Sequence, residues 1–526
     1  MLLFFPGKRR WFLAKRGHLC YDEQENEGFF PPDSAEGGRK KREGMNKQIS
    51  RTGGAHMRKT KIVCTIGPAS EREEILEKMI KAGMNVARIN FSHGTHPEHQ
   101  VKMDRIKQVR ERLGEPVAIM LDTKGPEYRI KTFENHKIML KDGDPFTLRV
   151  DDVEGNERQV SVNYADLNKD LKPGDRVLIN NGLVALDVEE IEGPEIRCRV
   201  AIGGELSDRK SMSFPGKVLN LIYLSEQDKA DLLFGIKNEV DYVACSFVSR
   251  KQDLMDVRAF LNQHGGEKIS LIAKIENQSG IDNIEEICTA CEGIMIGRGD
   301  MGVEIPYEEL PAVQKHLIDK CRMIGKRVIT ATEMLESMIH NARPTRAEIS
   351  DVANAVYDGS SAIMLSGETA AGKYPVEAVA VMAKIAEATE SKIDYAERFR
   401  SAEFITHNMV DAISHATCGM AIDIGAKAIV VCSLSGGTVR MISRFRSPVD
   451  ILGLTTNEGS MRKLALSWGV TPAITDAYTS TDVLFYVATR MAKEKLNLQS
   501  GDKIVITGGL PNGKSGNTNL IKVEVI

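Results

Sequence analysis

Three charged side chains stand at the ends of apolar runs, and their types suit one another. Lys274 and Glu276 close the run Ala273–Lys274–Ile275–Glu276–Asn277, and Asp300 closes another at Gly299–Asp300. Two carboxylates converging on one cavity suit Mg²⁺ or Mn²⁺, hard cations that take oxygen ligands and keep waters. A lysine beside them can stabilise negative charge developing on an oxygen. A second set lies in Val86–Ala87–Arg88–Ile89–Asn90–Phe91–Ser92, where Arg88, Asn90 and Ser92 alternate. Period 2 puts all three on one face of an extended segment. The planar fork of Arg88 suits a phosphate. The oxygens of Asn90 and Ser92, with Asp122, suit a second cation.

These residues need elements that bring distant parts of the chain to one place. Apolar runs rich in Val and Ile recur at 61–67, 85–92, 117–122, 218–224, 242–248, 269–276, 293–300, 327–332 and 362–368. Amphipathic helical stretches such as 71–82 and 307–325 separate them. Fully apolar strands alternating with helices predict a parallel sheet covered by helices. Eight such units close into a (β/α)₈ barrel, whose chemistry sits at the carboxyl ends of the strands. The polar residues fall at those ends. Nine runs are one too many, and 218–224 reads as a return segment rather than a barrel strand.

The barrel rhythm breaks after Pro126. From about 128 to 216 the chain shows short alternating strands, such as 177–179 and 184–188, between turns such as Lys141–Asp142–Gly143–Asp144 and Lys172–Pro173–Gly174–Asp175. This predicts a small β-barrel lid inserted at a strand's carboxyl end, over the site. Beyond about 391, strands at 428–434, 450–455, 503–507 and 520–526 alternate with helices at 410–424, 438–445 and 482–496. An open α/β domain fits. The expected organisation is an extension at 1–56, a barrel at 57–126 and 217–390, a lid at 127–216, and a last domain at 391–526.

Composition narrows the partners. A net charge of −3 gives no reason to expect nucleic acid. No apolar run approaches the roughly 18 residues of a membrane helix. Nine cysteines without a disulfide framework suit a reducing cytoplasm. Cys288 and Cys291 form one CxxC with no second pair, which is weak ground for metal or redox chemistry. Residues 1–56 carry no lasting period, so disorder is their default reading. A targeting peptide and a start placed upstream of the natural one, at Met57, are the alternatives, and the second is favoured.

Two motif matches fail on context. Gly297–Arg298–Gly299–Asp300–Met301–Gly302 satisfies GxGxxG after a strand, but it lies in mid-barrel and Pro306 soon follows. Its glycines are expected to let backbone amides approach a small anion. Gly508 to Ser515 has Walker A spacing, yet it leads to a final strand and not to the helix such a loop must open. A third segment, Ser433–Leu434–Ser435–Gly436–Gly437–Thr438, stands between strand and helix. Its hydroxyls, glycine amides and helix amino terminus make a phosphate cradle in the last domain, suited to a regulatory ligand.

At these residues the chain resembles the pyruvate kinase family, from Arg58 to Ile526. The resemblance is carried by KIVCTIGPAS from Lys61, NVARINFSHGT from Asn85, DTKGPEYR from Asp122, AKIEN from Ala273, RGDMGVEIP from Arg298, MLESM from Met334, RPTRAEISDVANAV from Arg343 and MLSGET from Met364. It implies phosphoryl transfer from phosphoenolpyruvate to ADP, giving pyruvate and ATP. It implies that Glu276 and Asp300 hold the divalent cation, and that Lys274 and Arg88 stabilise the transferred group. Asn90, Ser92, Asp122 and the Thr123 carbonyl match the family's K⁺ site, and Glu127 is similar to the residue of K⁺-dependent members. Thr332, with the Gly299 and Asp300 amides, would seat the substrate carboxylate, and Ser366 would join a proton relay. Nucleotide contacts would include Pro68, Arg88, His93 and Arg129, with Arg209 or Lys210 from the lid. A homotetramer, a cytoplasmic location and a sugar-phosphate or other effector at the cradle are further family expectations. The resemblance is to members without an extra carboxyl-terminal domain.

The chain departs from the family pattern at a few places. Glu333 stands where Gln is usual, Gly297 replaces a common Ala, and Tyr128 a common Ile. Glu98 occupies a place where some relatives carry an aromatic, and Ser213–Phe214 replaces a frequent Asn–Leu. A metal-dependent lyase on a small keto acid is the rival reading, and the Arg88 phosphate set argues against it. A non-catalytic descendant would be expected to lose Lys274, Glu276 or Asp300, and all are present.

Overall fold

Eight of the nine apolar runs form strands, and they close on one another. The computed structural model describes residues 58–526 except 218, 220, 221, 479 and 510–517. The expectations for residues 1–56, and most of the Walker-like loop, fall outside the described residues. The barrel strands are β1 (Lys61–Thr65), β2 (Val86–Asn90), β3 (Ala118–Asp122), β4 (Tyr242–Cys245), β5 (Ser270–Ile275), β6 (Gly293–Gly297), β7 (Arg327–Ala331) and β8 (Ala362–Leu365). They form a closed barrel in the order β1-β8-β7-β6-β5-β4-β3-β2, with every pair parallel. Of the ninth run, residues 219 and 222–224 form no strand.

Alternation along each strand explains why the runs are apolar throughout. In β1, Ile62 and Cys64 face the surrounding helices, whereas Val63 joins Met120, Ile272 and Met295 inside the barrel. Both faces are buried, so neither tolerates polar residues until the strand ends. The helices carry the expected punctuation. Arg346–Asp358 starts with a capping box between Thr345 and Glu348 and stops at Gly359, whose φ of 98° suits a residue without a β-carbon.

The lid is a seven-stranded sheet in the order Tyr128–Arg129, Ser211–Ser213, Arg176–Ile179, Val184–Glu192, Glu195–Ile202, Pro145–Arg149, Gln159–Ser161. Its two edges meet. Lys131 N donates to Ser161 O at 2.7 Å and Asn163 N to Arg129 O at 3.0 Å, around the bridge Ile130–Val162. The expected β-barrel is thus closed by three residues on each side, around a separate core of Phe146, Leu148, Val177, Leu186 and Ile196.

The last domain holds a five-stranded sheet in the order Val470–Ile474, Asp450–Thr455, Ala428–Cys432, Lys503–Gly509, Thr518–Val525, with only the last strand antiparallel. The strand Val470–Ile474 was not foreseen, because Pro472 argues against a strand. It is an edge strand, where a residue without an N–H is tolerated. This domain meets the amino-terminal ends of the barrel strands. Lys61 Nζ donates to Val470 O at 2.7 Å, and Tyr242 Oη to Lys463 O at 2.6 Å. Leu466 enters the cluster that fills the barrel interior and is fully buried there. Among the described residues no helix is long and apolar enough to cross a membrane.

Candidate active site

At the opposite, carboxyl-terminal end of the barrel an unbroken chain of charges crosses four strands. Arg88 on β2 donates from Nε to Asp122 Oδ2 at 2.6 Å and from Nη1 to Thr65 Oγ1 at 2.9 Å. Asp122, ending β3, has its other oxygen 3.1 Å from Lys274 Nζ, and Lys274 lies 3.1 Å from Glu276 Oε1. All four are nearly dry, at 8% exposure for Arg88, 0% for Asp122, 9% for Lys274 and 1% for Glu276. Charges so buried are tolerable only because each is paired.

The electrostatics follow. Burial works against the charge of Asp122, yet Arg88 and Lys274 outweigh it and hold the carboxyl below its usual range. Burial likewise opposes the Lys274 ammonium, and Asp122 with Glu276 overcomes it and raises the lysine. Glu276 goes the other way. Loss of water pushes it up to about 7, with Lys274 pulling it down and the Asp300 carboxyl adding to the rise. Asp300, in the first turn of the helix Arg298–Glu304, opens toward solvent on one side but is crowded on the others, and that desolvation raises it too. Two neighbouring carboxyls that each resist ionisation are a donor set awaiting a cation of higher charge. The residues present therefore fit a divalent ion.

Ser246, just past β4, was not singled out from sequence and is central here. Its hydroxyl accepts from Lys274 Nζ at 2.7 Å and donates to the Thr123 carbonyl at 2.7 Å, lying 3.3 Å from Asp122 Oδ1. It thus joins Lys274 to two members of the expected monovalent-cation set. Of that set, Asn90 Oδ1 accepts from Ser92 N at 3.1 Å, and Asp122 aligns with Asn90 in register. The residue after Ser246 fixes Glu276. Phe247, at a φ of 54°, donates its N–H to Glu276 Oε2 at 2.9 Å.

The loops after β7 and β8 hold the remaining residues. Thr332 and Glu333 have φ of 69° and 54°. That backbone is costly for a β-branched residue and must be imposed by surroundings. Buried Arg298 imposes it, donating to the Thr332 carbonyl at 2.6 Å and the Glu333 carbonyl at 3.3 Å while pairing with Asp351 at 2.8 Å. Thr332 Oγ1 accepts the Gly299 N–H at 2.8 Å, so that amide already has a partner. The Glu333 side chain is exposed. Glu368, 1% exposed, ties the two loops together: Oε1 accepts from Leu335 N at 2.9 Å and Oε2 from Ser366 N at 2.7 Å. The Ser366 hydroxyl is buried without a protein partner. Neither Arg298 nor Glu368 was assigned a role from sequence, although both lie in the quoted segments.

A cavity of about 270 Å³ lies between lid and mouth, lined by Glu127, Arg129 and Phe214 with Asn277, Asp300 and Glu304. The Glu304 carboxylate accepts from the Phe214 N–H and the Ser213 hydroxyl, so the departing pair Ser213–Phe214 docks the lid on the Asp300 helix. Arg129 is held by Glu127 and by the carbonyl of Arg209, and Glu127 also pairs with Lys124 at 3.0 Å. This brings Arg129, Arg209 and its neighbour Lys210 to the lid edge. Pro68 and His93 are exposed on the loops after β1 and β2 and do not line this cavity. Glu98 caps the helix His96–Leu113, accepting from Thr95 N at 2.7 Å.

In the last domain, Gly436 (φ 76°) precedes the helix Gly437–Arg444, with Ser433 and Ser435 on the same loop. Thr438 Oγ1, however, is buried against Thr518 Oγ1 at 2.5 Å. The CxxC does not pair within itself alone: Cys288 Sγ also lies 3.5 Å from Cys321 Sγ, all three thiols are buried, and Cys291 lies just past the helix Ile284–Thr289. Among the described residues no group of three or more His, Cys, Asp or Glu is arranged to hold a metal by itself. The Glu276–Asp300 pair would thus leave most of an ion's coordination to substrate and water.

Comparison with known proteins agrees with this geometry. The family model for the pyruvate kinase barrel domain matches residues 57–379, and that for the pyruvate kinase alpha/beta domain matches 411–524. A pyruvate kinase of Clostridium acetobutylicum is 47% identical over 475 residues, covering 89% of this chain and all of the relative. One of Staphylococcus haemolyticus is 48% identical over 473 residues, covering 89% of this chain and 81% of the relative. The crystal structure of a pyruvate kinase from Cryptosporidium parvum superposes with a TM-score of 0.84 at 37% identity, covering 89% of this chain and 96% of that one.

Proposed function

The chain belongs to the pyruvate kinase family and is a metal-dependent phosphotransferase acting on phosphoenolpyruvate and ADP; we propose how its residues divide that work. The observation that carries the assignment is the buried chain Arg88–Asp122–Lys274–Glu276 beside Asp300. In the reaction the bond from the enol oxygen to phosphorus breaks, and a terminal oxygen of ADP takes the phosphoryl group. Lys274 and Arg88 supply the positive charge that a loose phosphoryl-transfer state needs on its equatorial oxygens. Both are already desolvated and held in place, so little reorganisation is required. Thr332 and the amides of Gly299 and Asp300 seat the carboxylate, which displaces the internal Gly299–Thr332 bond. The enolate left behind takes a proton on carbon, and Ser366, with its unpartnered buried hydroxyl, sits in the relay that delivers it.

Glu276 and Asp300 hold Mg²⁺, or Mn²⁺, which when bound neutralises charge on the phosphoryl and carboxylate oxygens. Asn90, Ser92, Asp122 and the Thr123 carbonyl hold K⁺, and Glu127 stands where K⁺-dependent members keep an acid. Pro68, His93, Arg129 and Arg209 or Lys210 contact the nucleotide when the lid closes. The catalytic body comprises 57–126 and 217–390, with 127–216 as lid and 391–526 as regulatory domain. The cradle at Ser433, Ser435, Gly436, Gly437 and Thr438 takes a phosphorylated effector, for which Thr438 must release Thr518. The working form is a cytoplasmic homotetramer.

Coupling pyruvate formation to a dehydrogenase, with ADP, phosphoenolpyruvate, Mg²⁺ and K⁺, tests the assignment. Turnover is expected in the full chain, and at least a thousandfold loss in Lys274→Met, since the charge removed is worth several kcal/mol in a dry site. Full turnover in that variant would overturn the mechanism.

A further inference from the structure

On the face away from the mouth, a cleft of about 1090 Å³ opens between the barrel and the last domain. Six basic and four acidic side chains line it. The pairing is uneven. Asp241 is committed to Arg462 at 2.9 Å and Arg110 at 3.8 Å, and Glu292 accepts the Leu271 N–H at 2.7 Å. Glu239 and Glu267 also line the cleft. Among the described residues Arg327, Arg440, Lys463, Arg258 and Lys268 form no ion pair with any of these acids.

Three of these cations crowd one another. Arg327 is only 6% exposed and spends its donors on Ser467 Oγ at 3.1 Å and the Lys463 carbonyl at 3.2 Å, with its guanidinium 5.8 Å from the Tyr242 ring centre. Arg440, on the helix Gly437–Arg444, has no hydrogen-bond or ionic partner among the described residues. Lys463 donates only to the Lys268 carbonyl, at 2.8 Å. Burial lowers both Arg327 and Lys463, and the charge of Arg440 lowers each further. A fold that holds three cations together in a half-dry cleft, without a carboxylate between them, is stabilised by an anion that binds there.

We propose that this cleft is an anion site for a small phosphorylated molecule, held by Arg327, Arg440 and Lys463 and separate from both the catalytic mouth and the Ser433–Thr438 cradle. The volume suits a ligand the size of a nucleotide or sugar phosphate. Apolar Ile236, Val240 and Leu464 offer its organic part a wall. Arg440 rides on the helix that starts at the cradle, so ligands at the two places bias one element.

Inorganic pyrophosphate, titrated calorimetrically into the full chain without divalent cation, is the probe. Saturable binding is expected, weakened at least tenfold in Arg440→Ala and in Lys463→Ala and abolished in Arg440→Glu. Because Arg440 makes no contact that folding needs, its variants should keep basal activity, and circular dichroism checks their fold. Lys274→Met and Ser433→Ala should leave a pyrophosphate site of wild-type affinity. The proposal is overturned if Arg440→Ala binds like the wild type, if Lys274→Met or Ser433→Ala abolishes all binding, or if no saturable site exists.

Discussion

The carboxylate of Glu276 lies directly over the α-carbon of Gly297: a β-carbon there would come within 2.6 Å of Oε1 and 2.7 Å of Cγ. Gly297 is one of the positions where this chain departs from the family pattern. Its φ of −87° suits any residue, so the constraint is space and not backbone. The absence of a side chain lets Glu276 reach Lys274 and lie beside Asp300.

Gly297→Ala is therefore expected to displace the Glu276 carboxylate while leaving the fold intact, because the far end of a flexible side chain can give way. The half-saturating Mg²⁺ concentration should rise roughly three- to tenfold, about 0.7–1.4 kcal/mol, with the K⁺ requirement unchanged. An unaltered Mg²⁺ curve would show that this close approach has no bearing on the cation.

Glu368 acts through the loops it joins. Glu368→Gln keeps one acceptor but turns an N–H₂ toward a backbone N–H, which leaves donors facing each other at a cost of roughly 1–3 kcal/mol. We expect kcat to fall at least tenfold with the Mg²⁺ requirement unchanged, because Thr332 and Ser366 lose their relative placement. A purely structural role would lower the melting temperature without that fall in kcat.

Ser246→Ala removes the hydroxyl between Lys274 Nζ and the Thr123 carbonyl. The loss of a charge-assisted bond is worth about 1.5–3 kcal/mol. Both kcat and the K⁺ half-saturation should worsen, each by around tenfold. If only kcat moves, Ser246 serves Lys274 alone.

Stability should fall in mild acid through His99. It packs against Phe91, with ring centres 4.2 Å apart, and its ring nitrogens lack well-placed partners. Burial first, then Lys102 and His96, lower it to about 4 against an ordinary 6.5, with Glu98 opposing. Between those values the unfolded chain takes up a proton that the folded chain refuses. The contribution is thus complete above pH 6.5 and is lost as pH falls toward 4, on the order of 2 kcal/mol. Urea midpoints at pH 4.5 and 7 should differ less in His99→Leu than in the wild type. Equal differences would assign the acid sensitivity elsewhere.

The fold was readable where one signal ruled. Barrel strands buried on both faces show as unbroken apolar runs, and all eight were located to within a few residues. Val470–Ile474 was missed because Pro472 is a local veto that an edge position lifts. At the site, Lys274, Glu276, Asp300 and Arg88 stand out because a charge at the end of a buried strand needs a reason. Ser246 gives no such signal: a serine between Cys245 and Phe247 is ordinary in sequence, and its role exists only once β4 lies beside β3 and β5. Arg298 and Glu368 sit in quoted segments, yet what they hold comes from loops more than 30 residues apart in the chain.

Leu466 has a wider consequence. The interior of the barrel is completed by a residue that another sheet supplies, so the catalytic body does not end where its own strands end. A chain cut near residue 390 would leave a hole beneath Tyr242 and Met295, and water would have a way in from below. Exchanging the last domain between relatives is consequently a core-packing problem as much as a regulatory one. A graft whose residue at that place fails to match the receiving barrel's width would loosen the strands whose far ends carry the chemistry.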